Sequence, residues 1–186
     1  MPHSLPQAIL LVDGYNVVGH WLELKHLRDR EGLGEARRLL TEYLINYSAF
    51  HDYDTRLVFD AQYQQSPCKR EVITANLSVC YTDFGQNADT YIEKACAAFR
   101  NDLRKFQQRL IVATSDRAQQ LTVVGYGAEL MTVDQLTLAV ATADQRVRQK
   151  HKPTKAKKTG RSLGHRLDPV AFQRLSAMRF GKSGEA

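Results

Sequence analysis

The sequence predicts an α/β fold in which helices cover both faces of a mostly parallel sheet. Short continuous apolar runs alternate along the chain with longer segments whose apolar residues recur at helical spacing. The runs lack the alternation of polar and apolar residues that a half-exposed strand shows, so both faces of each strand are expected to be buried. With 186 residues, 43% of them hydrophobic, the chain is long enough for one ordinary domain and an appendage.

Apolar runs that end at polar turns are predicted to be strands. They cover residues 8–12, 55–59, 77–82 and 109–113, with a brief further strand near 129–131. The first ends at Asp13-Gly14, which is predicted to be a tight turn, the second ends at Asp60, and the fourth ends at Thr114-Ser-Asp116. The polar residues 62–69, which include Pro67, are predicted to form a loop.

Four segments are predicted to be helices. They are 34–50, a long segment that begins at Ala88, a short segment from Asp116 to about residue 124, and 133–149. The apolar face of the long helix is predicted to continue through Leu103 and Phe106. Residues 1–149 are therefore expected to form the folded body.

The last part of the chain is strongly basic. Residues 1–145 contain 14 Lys and Arg against 18 Asp and Glu, whereas residues 146–182 contain 12 Lys and Arg and only one acid, Asp168. Such a segment favours a polyanionic partner, because each cation placed on a phosphate releases counterions. The candidate RNA contacts here are Lys150, Lys152, Lys155, Lys157, Lys158, Arg161 and Arg166.

The basic extension, residues 150–186, is expected to be a connector followed by a short helix that begins near Pro169. Two other interpretations stay open: a solvated charged tail, and a helix that docks on the body. A membrane surface is disfavoured because the segment has no strong apolar face.

A cytoplasmic location is expected. The longest apolar run, residues 8–12, is far too short to span a bilayer, and residues 1–7 lack the features of a signal peptide. Cys68, Cys80 and Cys96 are an odd, widely spaced set without a CxxC motif, which suits a reducing compartment and disfavours a zinc site.

Acidic residues follow the strands. Asp13 follows the first strand, Asp60 the second and Asp116 the fourth, while Asp89 lies at the start of the long helix and Glu93 one helical turn further along. The carboxyl ends of parallel strands share one edge of a sheet, so these side chains are expected to converge there. Singly, each of them also fits a turn, a helix cap or a solvated face.

Convergence of these carboxylates would be costly without a counterion, since two unit charges about 4 Å apart interact by roughly 4 kcal/mol at an effective dielectric near 20. A divalent cation would resolve the repulsion. Carboxylate ligands favour Mg²⁺ or Mn²⁺, and the six His residues show no HxH or HxxxH spacing for zinc. Phosphodiester hydrolysis is the natural reaction of such a site.

Neighbouring polar residues are candidate contacts. Asn16 is placed to orient Asp13, or else to shape a turn. Thr114, Ser115 and Arg117 lie at a predicted helix start, where free N–H groups suit phosphate, although N-capping explains the hydroxyls equally well. Tyr15, Trp21 and Tyr63 are expected in loops near this edge, where an aromatic ring can stack on an RNA base.

Four short motifs in order resemble the NYN domain of the YacP-like group, which belongs to the PIN-like nucleases. The motifs are Asp13-Gly-Tyr-Asn16, Val58-Phe-Asp-Ala61, Ala88-Asp-Thr-Tyr-Ile-Glu93 and Thr114-Ser-Asp116, and the similarity runs over roughly residues 8–145. The resemblance implies a Rossmann-like PIN fold, that is, a three-layer sandwich around a mostly parallel sheet. It also implies a divalent metal and single-stranded RNA as substrate, in a group with ribosome-associated endoribonucleases among its members.

The resemblance assigns roles to the motif positions. Asp13 and Asp89 would be catalytic carboxylates that bind the metal, and Asp116 a further ligand or a contact through water. Asn16 would organise the site, whereas Asp60 and Glu93 fall on acidic positions of the motifs. The expected activity is metal-dependent cleavage of single-stranded RNA, with messenger RNA on the ribosome as one candidate substrate.

Two other functions remain open at the level of sequence. A catalytically weak adaptor that binds RNA or the ribosome would use mainly the basic extension, and the complete acidic set argues against it. A small-molecule phosphatase that forms an aspartyl phosphate favours a DxD motif at the first strand, where this chain has Asp13-Gly-Tyr15. Oligomeric state, RNA specificity and the number of metal ions are not determined by the sequence.

Overall fold

The described part of the chain contains six strands and six helices, with three helices in succession after the first strand and strict alternation only from the fourth helix onward. The computed structural model describes residues 5–60, 69–83 and 85–151, all of which belong to the first of two units, Met1–His151 and Lys152–Ala186. The strands are β1 (Ala8–Asp13), β2 (Tyr53–Phe59), β3 (Lys69–Thr74), β4 (Leu77–Tyr81), β5 (Arg109–Ala113) and β6 (Glu129–Met131). The helices are α1 (Gly14–His20), α2 (Leu22–Glu31), α3 (Leu33–His51), α4 (Ala88–Arg100), α5 (Arg117–Gly125) and α6 (Val133–His151).

The strands form one sheet in the order β3-β4-β2-β1-β5-β6. All neighbouring pairs are parallel except β3 and β4, which are antiparallel. β1 is therefore central, with β2 and β5 on its two sides, and all six of its residues are buried. The predicted mostly parallel sheet is confirmed.

Alternate residues of β1 enter two separate cores. Ala8, Leu10 and Val12 pack in a cluster with residues of α1, α2, α3 and α6, whereas Ile9 and Leu11 pack in a second cluster with residues of α4 and α5. Because side chains alternate across a strand, this division places helices on both faces of the sheet. The predicted three-layer sandwich is confirmed for the residues that the structure describes.

The structure contains three elements that the sequence did not predict: the helices α1 and α2 and the strand β3. Asp13-Gly14 is not a tight turn, because α1 begins at Gly14 and α2 follows it. Residues 69–74 form β3, an additional edge strand that pairs with β4. Neither α2 nor β3 shows a strong apolar pattern in the sequence. α2 has one buried residue, Leu24, and Val72 of β3 is 70% exposed.

The predicted continuation of the long helix through Leu103 and Phe106 is wrong. α4 ends at Arg100, and a separate 3₁₀ turn covers Leu103–Phe106, with Asp102 accepting a hydrogen bond from the backbone N–H of Arg104 at 2.8 Å. Leu103 and Phe106 are 80% and 79% exposed. An Asp that caps its own new turn stops the preceding helix, although apolar spacing alone favours its continuation.

Across residues 5–60, 69–83 and 85–151, every helix is too short or too polar to cross a bilayer. Cys80 and Cys96 are buried free thiols, and Cys68 lies outside the described residues. The predicted connector and helix of residues 152–186 also lie outside them.

Candidate active site

The carboxyl edge of the sheet brings together the acidic residues that follow the strands. Asp13 is the last residue of β1, Asp60 follows β2, and Asp116 lies three residues beyond the end of β5. β1 lies between β2 and β5, and the helices that follow β1 and β5 cover opposite faces of the sheet. Such a reversal opens a crevice at the strand ends, where ligands bind in sheets of this type.

Asp13 lies at the bottom of this edge and is 7% exposed. Its Oδ1 caps α1 by accepting a hydrogen bond from the backbone N–H of Asn16 at 3.1 Å. Burial raises the pKa of Asp13 to about 6, despite the hydrogen bond from Asn16, and the charges of Asp89, Asp60 and Asp116 raise it further. Asp13 is therefore a buried carboxyl within electrostatic reach of three others.

Asp89 approaches the same place from the first turn of α4. Its Oδ1 accepts a hydrogen bond of 2.6 Å from Nε2 of Gln119 in α5. Burial raises the pKa of Asp89, followed by the charges of Asp116, Asp60 and Glu93, and the Gln119 contact opposes them. Glu93, one turn further along α4, thus lies on the Asp89 side of the helix as predicted from their spacing.

Asp60 and Asp116 also start helices. Asp60 Oδ1 accepts a hydrogen bond from the backbone N–H of Ala88, the first residue of α4. Asp116 Oδ1 caps α5 by accepting from the backbone N–H groups of Ala118 at 2.8 Å and Gln119 at 3.1 Å. A carboxylate at a helix start is stabilised by the local dipole, so these contacts fix where both side chains lie.

Each of the four aspartates has one carboxylate oxygen without a donor among the residues that the structure describes. All of the hydrogen bonds given above involve Oδ1, and no described residue donates to Oδ2 of Asp13, Asp60, Asp89 or Asp116. Close to them, Oε1 of the buried Gln119 has no partner among the described residues. The edge therefore presents oxygen acceptors without donors, which is the donor set that a hard cation or water molecules satisfy.

Asn16 ties the β1 turn to the β5 turn. Its Oδ1 accepts a hydrogen bond of 2.7 Å from the backbone N–H of Ser115, across 99 residues of sequence. Ser115 Oγ in turn accepts from the backbone N–H of Val133 at 3.2 Å. Asn16 thus connects the segments that carry Asp13 and Asp116.

Thr114 is fully buried, and its Oγ1 accepts a hydrogen bond of 3.1 Å from the backbone N–H of Asp116. This contact shapes the turn, and a side chain so placed offers no surface to RNA. Ser115 is half-buried and Arg117 is exposed at the start of α5.

The aromatic residues lie differently from the prediction. Tyr15 is half-buried within α1 rather than in a loop, with its ring 5.1 Å from that of Phe59. Trp21 is 8% exposed and stacks on Tyr43 with 5.2 Å between the ring centroids, so it belongs to the core. Tyr63, the side chain of Lys150, and the residues from Lys152 to Arg166 lie outside the described part of the chain.

Gly14 allows α1 to begin directly beneath the acidic edge. A Cβ at this position would lie 2.2 Å from Cε1 of Phe59, the residue before Asp60. Any larger residue would push the start of α1 away from the end of β2. A glycine at position 14 is therefore required by packing between the two segments that carry Asp13 and Asp60.

Two residues near the edge have no signal in the sequence. Gln119 contacts Asp89 from a neighbouring helix, and Arg37 of α3 lies with its Cζ 5.9 Å from the centroid of the Phe59 ring. Both contacts join elements that are distant along the chain, so only the folded arrangement reveals them.

Comparison with known proteins assigns the chain to a family. A family model described as the YacP-like NYN domain matches residues 10–180. The protein YacP of Bacillus subtilis (strain 168), which is described as uncharacterized, is 32% identical over 154 residues, or 82% of this chain and 87% of that protein. The match to the family model therefore includes part of the basic segment, beyond the residues that the structure describes.

Two crystal structures of Rae1 (YacP) from Bacillus subtilis, one of them of a mutant, share the fold. Each has a TM-score of 0.65 to this chain, with 28% and 26% sequence identity. The matches cover 91% and 96% of this chain and 99% of each crystallised chain. The predicted family and PIN-like fold are confirmed: the chain belongs to the YacP-like NYN family, whose domains are nuclease-like.

Proposed function

We propose that this chain is an endoribonuclease that depends on Mg²⁺ or Mn²⁺ and cleaves single-stranded RNA at the carboxyl edge of its sheet. The observation that carries the proposal is the convergence of four aspartates from four segments, each with a carboxylate oxygen that accepts no hydrogen bond from the described residues. Membership of a nuclease-like family supports the same reaction class.

The residues fit a divalent ion that keeps much of its water. No three Asp, Glu, His or Cys side chains in residues 5–60, 69–83 and 85–151 are grouped as direct ligands. Mg²⁺ commonly uses one or two carboxylates and retains several waters, so a smaller direct set still suits it. We assign Asp13 and Asp89 as the nearest ligands and Asp116 as a contact through water.

A divalent ion at this site would supply charge stabilisation at the scissile phosphate and activation of the attacking water. The chain's own contribution is to fix and tune its carboxylates. Burial and the neighbouring carboxylates raise the pKa of Asp13 to about 6 in the metal-free chain, so a cation would compete with protons for this carboxyl near neutral pH. Asp60 and Asp116 hold the starts of α4 and α5, and Asn16 keeps the two turns together.

The division of labour along the chain is part of the proposal. Residues 1–149 would form the nuclease domain, and the basic residues 150–186 would hold RNA through phosphate contacts that depend on salt. A cytoplasmic protein of this design could act on free RNA or on messenger RNA held by the ribosome.

Removing residues 150–186 tests this division. RNA affinity should fall and the dependence of log Kd on log salt should flatten, since each lost phosphate contact on a single strand contributes about 0.7 to the slope. The body should keep its melting temperature. An unchanged slope would assign RNA binding to the body alone.

A second candidate function is an RNA- or ribosome-binding adaptor with little catalytic power. The observation that favours it is the absence of a three-ligand group among the described residues. The adaptor requires the basic extension but not the acidic edge, so it predicts that changes to the aspartates leave function intact.

One experiment separates the two. Wild-type protein and the Asp13→Asn variant are incubated with labelled single-stranded RNA in Mn²⁺, Mg²⁺ or EDTA, and in parallel with translating ribosomes. The endoribonuclease predicts metal-dependent cleavage that is lost in the variant. Binding without cleavage in both settings would establish the adaptor.

A further inference from the structure

Arg37 occupies an unusual position on α3. Its neighbours Ala36 and Leu40 are fully buried against the sheet, while Arg37 is half-buried at the border of the helix. Its guanidinium Cζ lies 5.9 Å from the centroid of the Phe59 ring. Phe59 is the last residue of β2 and packs on the α3 face of the sheet, so this cation lies on that face at the carboxyl end of β2.

Tyr15 connects Arg37 to the site. Its ring centroid is 5.1 Å from that of Phe59, and the charge of Arg37 opposes the rise that burial causes in the pKa of its hydroxyl. The charge of Asp60 also acts on the Tyr15 hydroxyl. The ring of Tyr81 also stacks on that of Phe59, with 6.1 Å between the two ring centroids.

The next residue on the helix makes a sharp contrast. Arg38 is exposed and forms ion pairs with Glu35 at 2.8 Å and Glu42 at 2.5 Å. No carboxylate of the described residues forms such a pair with Arg37. A half-buried cation held over an aromatic ring, without an acidic partner, has donors left for an anion that the described chain does not provide.

The acidic edge creates a need for such a cation. A phosphate backbone that approaches Asp13, Asp60, Asp89 and Asp116 is repelled by them wherever metal does not neutralise the charge. A guanidinium presents a planar fork that binds phosphate oxygens in pairs, and stacking on a ring orients that fork at little entropic cost. Arg37 satisfies both requirements on the Asp60 side of the site.

We propose that Arg37, placed over the ring of Phe59, binds a backbone phosphate of the RNA strand next to the scissile one. This inference rests on the proposed function and adds a positioning contact within the body of the protein, separate from the basic extension. Tyr15 and Tyr81, both half-buried, would flank the bound nucleotide. The site then has a metal-binding half and an Arg37 half.

The test compares Arg37→Gln with its neighbour Arg38→Gln in the full chain. Cleavage of a labelled single-stranded RNA in Mn²⁺ is followed as a function of RNA concentration and salt. Arg37→Gln should raise KM about ten-fold with kcat within two-fold of wild type, as expected for loss of one charge-assisted phosphate contact. Arg38→Gln should behave as wild type.

Binding is measured separately in an Asp13→Asn background, where the RNA stays intact. Adding Arg37→Gln should lower the slope of log Kd against log salt by about 0.7, as for one phosphate lost from a single strand. Arg37→Lys should retain the slope, because the charge remains, but recover only part of the affinity. A merely structural role for Arg37 would change the melting temperature and leave the slope unaltered.

The outcomes separate this inference from the proposed function. Wild-type cleavage together with equal KM and equal slopes for the Arg37 and Arg38 variants would overturn the role of Arg37 and leave the nuclease standing. A wild type that neither cleaves nor binds RNA would overturn both. If Arg37→Gln fails to fold, Arg37→Lys against Arg38→Lys decides: equal KM values would overturn the phosphate contact.

Discussion

Acidic residues have acidic neighbours at the carboxyl edge of the sheet and basic partners at the opposite, amino edge. At the carboxyl edge, Asp13 and Asp89 face other carboxylates, and the pKa of each is raised. At the opposite edge, Glu129 pairs with Arg109 and Asp102 pairs with Arg104 at 2.6 Å, and both carboxyl pKa values are lowered, first by those hydrogen bonds. The two edges are built from the same residue types, so the difference lies in the partner that each carboxylate receives.

The two edges differ in how their charges affect the stability of the fold. Ion pairs at the amino edge are largely exposed and add little to stability. The acidic edge instead keeps repulsive charges close together, which selection for stability alone would remove. Carboxylates that face one another at a sheet edge are therefore a functional signal, in contrast to those that receive an Arg partner at the opposite edge.

The largest expected difference between the edges is in catalysis. Asp89→Asn should reduce RNA cleavage at least a hundred-fold, on the order of 10²–10³, because it removes a charge that the proposed metal requires. Asp102→Asn removes a carboxylate of the same type from the opposite edge and should leave cleavage unchanged. Initial rates in Mn²⁺ measure both. Similar rates for the two variants would contradict a catalytic role for the acidic edge.

Removal of the Asp13 charge, although it should abolish cleavage, should make the metal-free protein more stable at neutral pH. In the folded state the pKa of Asp13 is about 6, above the ordinary value of 3.8 for an aspartate, so folding favours the protonated form. The corresponding stability is present below about pH 4 and is lost as pH rises through 6, a change on the order of 3 kcal/mol. Asp13→Asn should therefore stabilise the metal-free protein at pH 7.5 and have little effect at pH 4.

Urea unfolding in EDTA at the two pH values measures this change, and the Asn side chain can still accept the hydrogen bond from the Asn16 backbone. Mn²⁺ should narrow the difference by stabilising the wild type more than the variant. A destabilised Asp13→Asn protein at pH 7.5 would show that Asp13 is stabilised by interactions other than those described.

An added methyl group should be tolerated less well at Gly14, beneath the acidic edge, than at Gly19 in the same helix. Gly14→Ala places a methyl group 2.2 Å from the Phe59 ring and should cost about 1–3 kcal/mol, because the ring is 1% exposed and has little room to move. Gly19→Ala, also in α1, meets no atom within 4 Å and should be neutral or slightly stabilising. Thermal unfolding of the pair measures the difference, and equal melting temperatures would contradict the tight approach.

The smallest effect is expected at the amino edge. Glu129→Gln removes the charge that pairs with Arg109, but both side chains are about half exposed, so the loss should stay below about 1 kcal/mol. Because the pair lowers the pKa of Glu129, the small loss should disappear in acid, where the wild-type carboxyl is also protonated. Urea unfolding at pH 7 and pH 3 checks both statements.

The parts of the fold that the sequence predicts are those with strong burial patterns. β1 and β5, and the second half of β2, are apolar runs because they lie in the middle of the sheet and are covered on both sides. β3 and α2 lie at the periphery, where few residues are buried, so composition carries little information about them. The 3₁₀ turn was missed because the cap at Asp102 acts locally and is invisible to periodicity.

The candidate site divides in the same way. The aspartates were predictable because parallel strands place the residues that follow them at one edge. Gln119 and Arg37 were not, since their contacts with Asp89 and Phe59 depend on how helices pack across the sheet. The buried Thr114 shows the converse: a polar residue beside an acidic motif that serves the turn itself.

The hydrogen bond between Asn16 and the Ser115 amide has a consequence for the dynamics of the crevice. Beyond the paired strands themselves, this contact joins the segments that follow β1 and β5, where the crevice opens. The amide proton of Ser115 exchanges with solvent when this hydrogen bond opens. Its exchange rate therefore reports how often these two segments move apart at the site, and a substrate that contacts both should slow it.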